Sequence, residues 1–313
     1  MPDTLQNTPE SIDVITQAAM KQQAVTTLQD ALRYAPGITL NSGEGGAHGD
    51  NINLRGFHAI DSFFLDGIRD PGSYARDSFD LDTLEVLQGP ASVLFGNGSA
   101  GGVVNQSSKL PSLATRRDVS IEGGTNEEAR GTLDVDQPIG PNAAVRLNLM
   151  GETTGVTDRD YVLQRRWGAA PSLALGLNTP TTFTLSYFHQ EENNVPDYGI
   201  PFLFGEPADV KRSNYYGLKN EDITQTNVHI VTAAVNHDFN DNFSVANTFR
   251  YAYYWSNYRV TAPIFGSDFA GGRRRRERSS PISWCIAIAP AARARRPISP
   301  TIPTSPGASR PGR

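Results

Sequence analysis

From about residue 117 to residue 260, apolar and polar side chains alternate with a period of two. That is the pattern of β-strands whose two faces meet different surroundings. Val119 and Ile121 alternate with Ser120 and Glu122, Leu133 and Val135 with Asp134 and Asp136, and Val145, Leu147 and Leu149 with Arg146 and Asn148. Trp167, Leu173 and Leu175 share one parity, and Phe183, Leu185 and Tyr187 alternate with Thr184 and Ser186. The longest run puts Phe243, Val245, Phe249, Tyr251, Tyr253 and Trp255 on one face, and mostly Ser244, Thr248, Arg250 and Ser256 on the other. Seven strands are predicted, at about 117–124, 129–138, 143–153, 165–176, 181–191, 226–239 and 242–260. Short turns (Gly140-Pro141-Asn142, Asn178-Thr179-Pro180, Asn240-Asp241) alternate with longer polar connections, of which 192–225 is the longest. Short turns at one end and long loops at the other fit a transmembrane barrel. A soluble sandwich also alternates, but its strands run to about 5–6 residues, far shorter than 242–259.

The pattern before residue 113 is different. Ile12 to Ile15 reads as a short strand, and Thr16 can cap a helix. Thr26 to Tyr34 reads as a second helix with Leu28, Ala31 and Leu32 on one face, ended by Pro36-Gly37. Asn51 to Phe57 is predicted as a strand, and Asp66-Gly67 as a hairpin turn between 61–65 and 68–69. A strand or short helix is expected around Leu84-Glu85-Val86-Leu87. The segment 85–105 then carries Gly89, Gly96, Gly98, Gly101 and Gly102 between β-branched runs, so it must turn tightly several times. Gly96-Asn97-Gly98-Ser99-Ala100-Gly101 has the letters of a dinucleotide fingerprint, but Val103-Val104-Asn105 follows where a helix is required. Ser99 is no nucleophile elbow, because position 97 is Asn rather than Gly.

Charge divides the chain. It has 28 basic and 33 acidic residues; residues 271–313 hold ten Arg and one acid, which leaves 18 and 32, a net of −14, for residues 1–270. Seven prolines among the last 43 residues cannot continue a sheet. A disordered tail is expected there, with out-of-frame translation after about Gly272 as its preferred origin. No run of 18 or more apolar residues is present, so no transmembrane helix is expected. No signal peptide is recognisable at Met1-Pro2-Asp3-Thr4. With Cys285 as the only cysteine, no intrachain disulfide and no cysteine-based zinc site can form. His48, His58, His189, His229 and His237 show no metal-ligand spacing.

Several blocks in order carry a resemblance: Thr8-Pro9-Glu10-Ser11-Ile12, Ala31-Leu32-Arg33-Tyr34-Ala35-Pro36-Gly37, Asn53-Leu54-Arg55-Gly56-Phe57, Phe64-Leu65-Asp66-Gly67 and Gln88-Gly89-Pro90. Gly101-Gly102-Val103-Val104-Asn105 and Lys109-Leu110-Pro111 close the series. The chain thus resembles the TonB-dependent outer-membrane receptors, most nearly those for ferric siderophores. The resemblance implies an α+β plug domain (1–113), then antiparallel strands of an incomplete outer-membrane β-barrel (114–270), then the disordered tail (271–313). It implies energised import rather than enzymatic chemistry. The expected partners are a ferric siderophore, TonB with its inner-membrane energising complex, and outer-membrane lipid; no nucleic acid and no covalently bound cofactor are implied. No TonB box is recognisable before Leu5.

By the same resemblance, the plug loops facing outward correspond to 41–50, 69–79 and 95–100. Their candidate ligand contacts are Glu44, His48, Arg69, Tyr74, Arg76, Phe95 and Asn97. Arg and aromatic side chains suit a bulky, often anionic ligand. Arg55 and Gln88 occupy the positions of a plug lock, with Gln88 where the family often has a base. Arg55 could instead pair within the plug, with Asp66 or Glu85. The aromatics Tyr251, Tyr253, Tyr254, Trp255 and Tyr258 read as an interfacial girdle. Seven strands cannot close a barrel of this class, so transport by this chain alone is not expected. The alternative reading is a soluble ligand-binding or regulatory module with a plug-like domain.

Overall fold

A computed structural model of the chain describes residues 11–41, 49–89, 101–203, 205–240 and 243–265, and short segments at 284–288, 294–298 and 301–302. The first strand, β1 (Ser11–Thr16), runs into α1 (Gln17–Gln22), where the Thr16 hydroxyl accepts from the Ala19 amide as N-cap. Thr27 caps α2 (Leu28–Leu32) in the same way, accepting from Asp30. Leu28, Ala31 and Leu32 are buried as the helical spacing requires. Beyond α2, Gly37 takes φ +70°, a left-handed conformation in which other residues are strained.

The chain then forms β2 (Ile38–Leu40), β3 (Ile52–Leu54) and β4 (Phe57–His58), a three-stranded sheet in that order. The strand expected over 51–57 is therefore broken. Arg55 (φ +50°) and Gly56 (φ +83°) form a tight turn that reverses the chain between β3 and β4. Two consecutive left-handed residues are what a two-residue hairpin needs. Asp66 (φ +50°) and Gly67 (φ +76°) make a second such turn, joining β5 (Phe63–Leu65) to β6 (Ile68–Arg69). Then follow β7 (Leu81–Gln88) and β8 (Gly102–Ser108). The plug sheet has the order β1-β7-β8-β5-β6, with β5 and β8 parallel. Its core includes Met20, Leu28, Leu32, Ile52, Leu54, Phe63, Leu84, Val86 and Val104.

The wall begins at β9 (Arg116–Gly123) and continues through β10 (Ala129–Gly140), β11 (Ala143–Gly155), β12 (Leu163–Leu175) and β13 (Thr181–Asn194). A short hairpin, β14 (Phe202–Leu203) with β15 (Glu206–Pro207), lies in the connection that follows. The wall resumes with β16 (Ile223–Asn240) and β17 (Phe243–Arg259). These seven long strands pair antiparallel in sequence order. They lie where the alternation placed them. The connections after β11 and β13 are long and those after β10, β12 and β16 short, so all the long loops share one end. β18 (Thr261–Phe265) pairs with β19 (Trp284–Ile288), and β20 (Ala294–Ile298) and β21 (Thr301–Ile302) pair with β17. The rest of the tail, including the arginine run, lies outside the described residues.

The wall is inside-out compared with a soluble sheet. Val145, Leu147, Leu149, Trp167, Leu185, Val235, Phe249 and Tyr251 are exposed on its outer face, while Asp134, Arg146, Asn148, Arg166, Gln190, Glu192 and Arg250 are buried on its inner face. Apolar-out, polar-in alternation is the arrangement of a barrel wall in lipid. Phe243 and Tyr253, both outward on β17, are separated by a rise of about 25 Å for a strand tilted by about 40°. That matches the height of an outer-membrane apolar band between aromatic girdles. Tyr254 departs from the expected girdle: alternation turns it inward, and its hydroxyl donates to Asp70 of the plug at 2.7 Å.

Candidate functional site: the plug seated on its wall

Wall arginines grip plug carboxylates along the contact. Arg130 of β10 donates to both oxygens of Asp77, at 2.8 and 2.6 Å, and Arg166 of β12 lies 3.7 Å from the same carboxylate. The Asp77 side chain is completely buried. Glu152 of β11 pairs with both arginines. The Gln190 amide of β13 donates to Ala75 O and accepts from the Asp77 backbone. Farther along, Arg250 of β17 donates to Leu65 O at 2.7 Å and pairs with Asp66 at 3.1 Å. Lys109, at the exit from the plug, pairs with Asp134, which also takes a two-pronged bond from Arg146. Apolar contacts fill the gaps: Leu65 and Tyr74 pack on Val228, Ile230 and Ala252, and Phe79 packs on Met150, Ala170 and Phe188.

The plug loop between β6 and β7 is built around one buried cation. Arg76 donates to Asp70 Oδ2 at 2.9 Å, to Asp50 Oδ2 at 3.2 Å and to Gly72 O at 2.9 Å. Its guanidinium carbon lies 4.5 Å from the ring centroids of both Phe63 and Tyr74. The Tyr74 hydroxyl donates to Asp70 at 2.9 Å. Burial works against the Asp70 carboxylate, but Arg76 and the Tyr254 and Tyr74 hydroxyls outweigh it and hold its pKa below the usual range. Burial dominates at Asp50 and pushes it up to about 6 despite Arg76. The Tyr74 hydroxyl is driven well above its ordinary pKa by burial and by Asp70.

Tyr74 and Arg76, expected as ligand contacts, are therefore corrected. The Arg76 side chain is spent inside the plug and that of Tyr74 between Asp70 and the wall, and Arg76 is only 2% exposed. A loop rich in polar residues looks solvated in sequence, yet Asp50 and Asp70 supply the charge that buries its arginine. Arg69 stays half-exposed and pairs with Asp61 at 2.8 Å. Glu44, His48, Phe95 and Asn97 lie outside the described residues. Arg55 and Gln88 do come together, around Gly37. Arg55 is exposed at its turn, and no acid among the described residues pairs with it. Asp66 and Glu85, its possible plug partners, are taken by Arg250 and Asn105. Gln88 donates to Asp13 and Pro36 O. Sequence reasoning missed Asp77, Arg130, Glu152, Arg166 and Gln190. For the four wall residues the signal was charge or amide at the inward parity of strands whose other parity is apolar; Asp77, in the loop between β6 and β7, carries no such signal.

A family model described as TonB-dependent Receptor Plug Domain matches residues 4–103. The chain is 38% identical over 267 residues to the probable TonB-dependent siderophore receptor PiuA of Acinetobacter baumannii, a match covering 81% of this chain and 36% of the relative. The chain carries the plug domain of the TonB-dependent receptors. The probable TonB-dependent receptor BfrD of Bordetella pertussis is 39% identical over 256 residues, covering 79% of this chain and 34% of that protein. The crystal structure of the closed form of Fiu, the ferric-catecholate import receptor of E. coli K12, superposes with a TM-score of 0.81 at 35% identity, covering 86% of this chain and 40% of that one. The chain thus spans little more than a third of the length of these curated relatives. In this family frame the five-stranded sheet and its helices are the plug, and the seven long strands are wall.

Proposed function

We propose that the chain serves as the plug and adjoining wall of an outer-membrane receptor for TonB-dependent uptake of ferric siderophores. One observation carries this reading: a plug domain is held by ion pairs against an antiparallel wall whose far face is apolar. A soluble regulatory module would have no use for that outer face, where Leu147, Leu149, Phe249 and Tyr251 stand exposed. The ligand reaches the plug from the long-loop end. Arg69, Glu44, His48, Phe95 and Asn97 remain the proposed contacts, and Arg55 with Gln88 the proposed plug lock. No covalent chemistry is required of any residue; TonB supplies work by pulling on the plug. Relatives named as catecholate and ferrioxamine B receptors both occur, and the higher identity to the catecholate receptor, 37% against 28%, favours a catecholate ligand.

The test is binding to isolated outer membranes. The chain is expressed behind a secretion signal, and membranes are titrated with radiolabelled ferric catecholate and, separately, with ferrioxamine. Saturable catecholate binding that Arg69→Ala weakens supports the reading. A chain found as a soluble monomer, with neither iron complex bound, would refute it.

A further inference from the structure

The seam between plug and wall holds more negative than positive charge. The side chains of Asp50, Asp70 and Asp77 on the plug and of Glu152 and Glu192 on the wall are buried there. Facing them are the buried guanidiniums of Arg76, Arg130 and Arg166. These form two linked chains, Asp70–Arg76–Asp50 and Asp77–Arg130–Glu152–Arg166. Five carboxylates against three guanidiniums leave a surplus of two negative charges. Glu192 makes no ion pair among the described residues; its Oε1 accepts from the Gln190 amide at 2.9 Å. Buried charge of one sign has to acquire counter-charge or be neutralised.

The same place has unfilled valence. Asp50 Oδ1 and Thr224 Oγ1 are buried with no hydrogen-bond partner, although Asp50 is only 2% exposed and Thr224 only 6%. Both line a cleft of about 470 Å³ between plug and wall, which Glu192 and Arg166 also line. The unpaired acceptors at the cleft, Asp50 Oδ1 and Thr224 Oγ1, are oxygens, the preference of protons and hard metal ions, and Arg166 Nε is buried there without a hydrogen-bond partner as well. We propose that this cleft takes up a small cation, a proton or a hard metal ion, at the Asp50 and Glu192 carboxylates, and that its uptake tightens the plug on the wall.

Every element packed around Asp50 bears on this. The loop between β6 and β7 supplies Arg76 and Asp70; β12 supplies Arg166 and β13 Glu192. β10 and β11 supply Arg130 and Glu152, already engaged with each other, and β16 supplies only the uncharged Thr224. α2 contributes Gln29, whose amide donates to Gly49 O, and the Asp30–Arg33 pair. Burial pushes the Asp50 pKa up to about 6. A raised carboxyl pKa stabilises the folded seam fully below the ordinary value of 3.8 and loses that contribution as pH rises through about 6. Asp70, held low, acts in the opposite sense and only in more acidic solution.

The experiment is thermal melting of the full chain in detergent micelles under three conditions: pH 8 with EDTA, pH 8 with millimolar calcium, and pH 5.5 with EDTA. The wild type is compared with Glu192→Gln and Asp50→Asn, and with Glu221→Gln at an exposed pair as control. At least one of the two additions is expected to raise the wild-type melting temperature by roughly 2–4 °C or more. A rise with calcium identifies a metal ion, and a rise at pH 5.5 alone identifies a proton. Glu192→Gln removes one surplus charge at nearly constant volume, so it melts higher than wild type at pH 8 with EDTA and loses the response. Asp50→Asn gives the second reading of that loss. Equal wild-type melting under all three conditions overturns the proposal. So does a full response retained by both variants.

Discussion

Asp77→Asn is the perturbation that loads the plug–wall seam most heavily. The substitution keeps the shape of the side chain and removes its charge. In the native seam Arg130 makes a two-pronged bond to Asp77, and both side chains are buried, at 5% and 0% exposure. Breaking a buried pair by removing one partner costs about 3–5 kcal/mol, because the other charge is left behind. Glu152 still pairs with Arg130 and Arg166 after the change, which places the expected loss at the low end, about 3 kcal/mol. With a urea slope of about 1–3 kcal/mol per molar, the unfolding midpoint of the chain in micelles falls by about 1 M or more. The cycle with Arg130→Met isolates the pair: the double variant recovers part of the loss, with a coupling energy of about 2 kcal/mol or more, since coupled neighbours show roughly 0.5–3. Asp77→Asn within 0.5 kcal/mol of wild type, or a coupling near zero, would refute the view that wall arginines hold the plug.

Three further outcomes are expected. Gly101→Ala would place a methyl 2.2 Å from Leu54 O and 2.9 Å from Leu54 Cβ in the plug core, so it destabilises the plug by about 2 kcal/mol or more; Gly131→Ala, with nothing within 4 Å, serves as control in the same denaturant titration. Leu147→Arg on the outer face of β11 costs about 2–4 kcal/mol if that face meets the bilayer midplane, read as lost partitioning into the outer-membrane fraction, whereas Leu147→Ser loses much less. The seven long strands form an open sheet, so liposomes reconstituted with this chain alone show no siderophore-dependent iron uptake; measurable uptake would contradict the open-wall description.

The wall was legible because its information is local. Period-two alternation needs only neighbouring residues to be read, and it located all seven strands, with Arg146 and Arg250 on the parity opposite the apolar one. The Thr16 cap and the Asp66-Gly67 turn were legible for the same reason: each is a short-range hydrogen-bonding or φ requirement. What could not be read was who pairs with whom across the seam. Asp77 and Arg130 are 53 positions apart, and Asp66 and Arg250 are 184 apart. Nothing local distinguishes a buried Arg76 from a solvated one; only folding Asp50 and Asp70 around it decides. Arg55-Gly56 was hidden by the apolar residues on both sides, which imitate one strand where the chain makes two.

Spin labels placed singly at residues 143–150 of β11, in a Cys285→Ser background, read which face of the wall meets lipid. In outer-membrane vesicles, collision with dissolved oxygen is expected to peak at 145, 147 and 149 and to fall at 146, 148 and 150. Collision with a polar nickel complex should stay low at the odd positions. Oxygen collision peaking at the even positions, or no alternation along the strand, would contradict a plug held inside a lipid-facing wall.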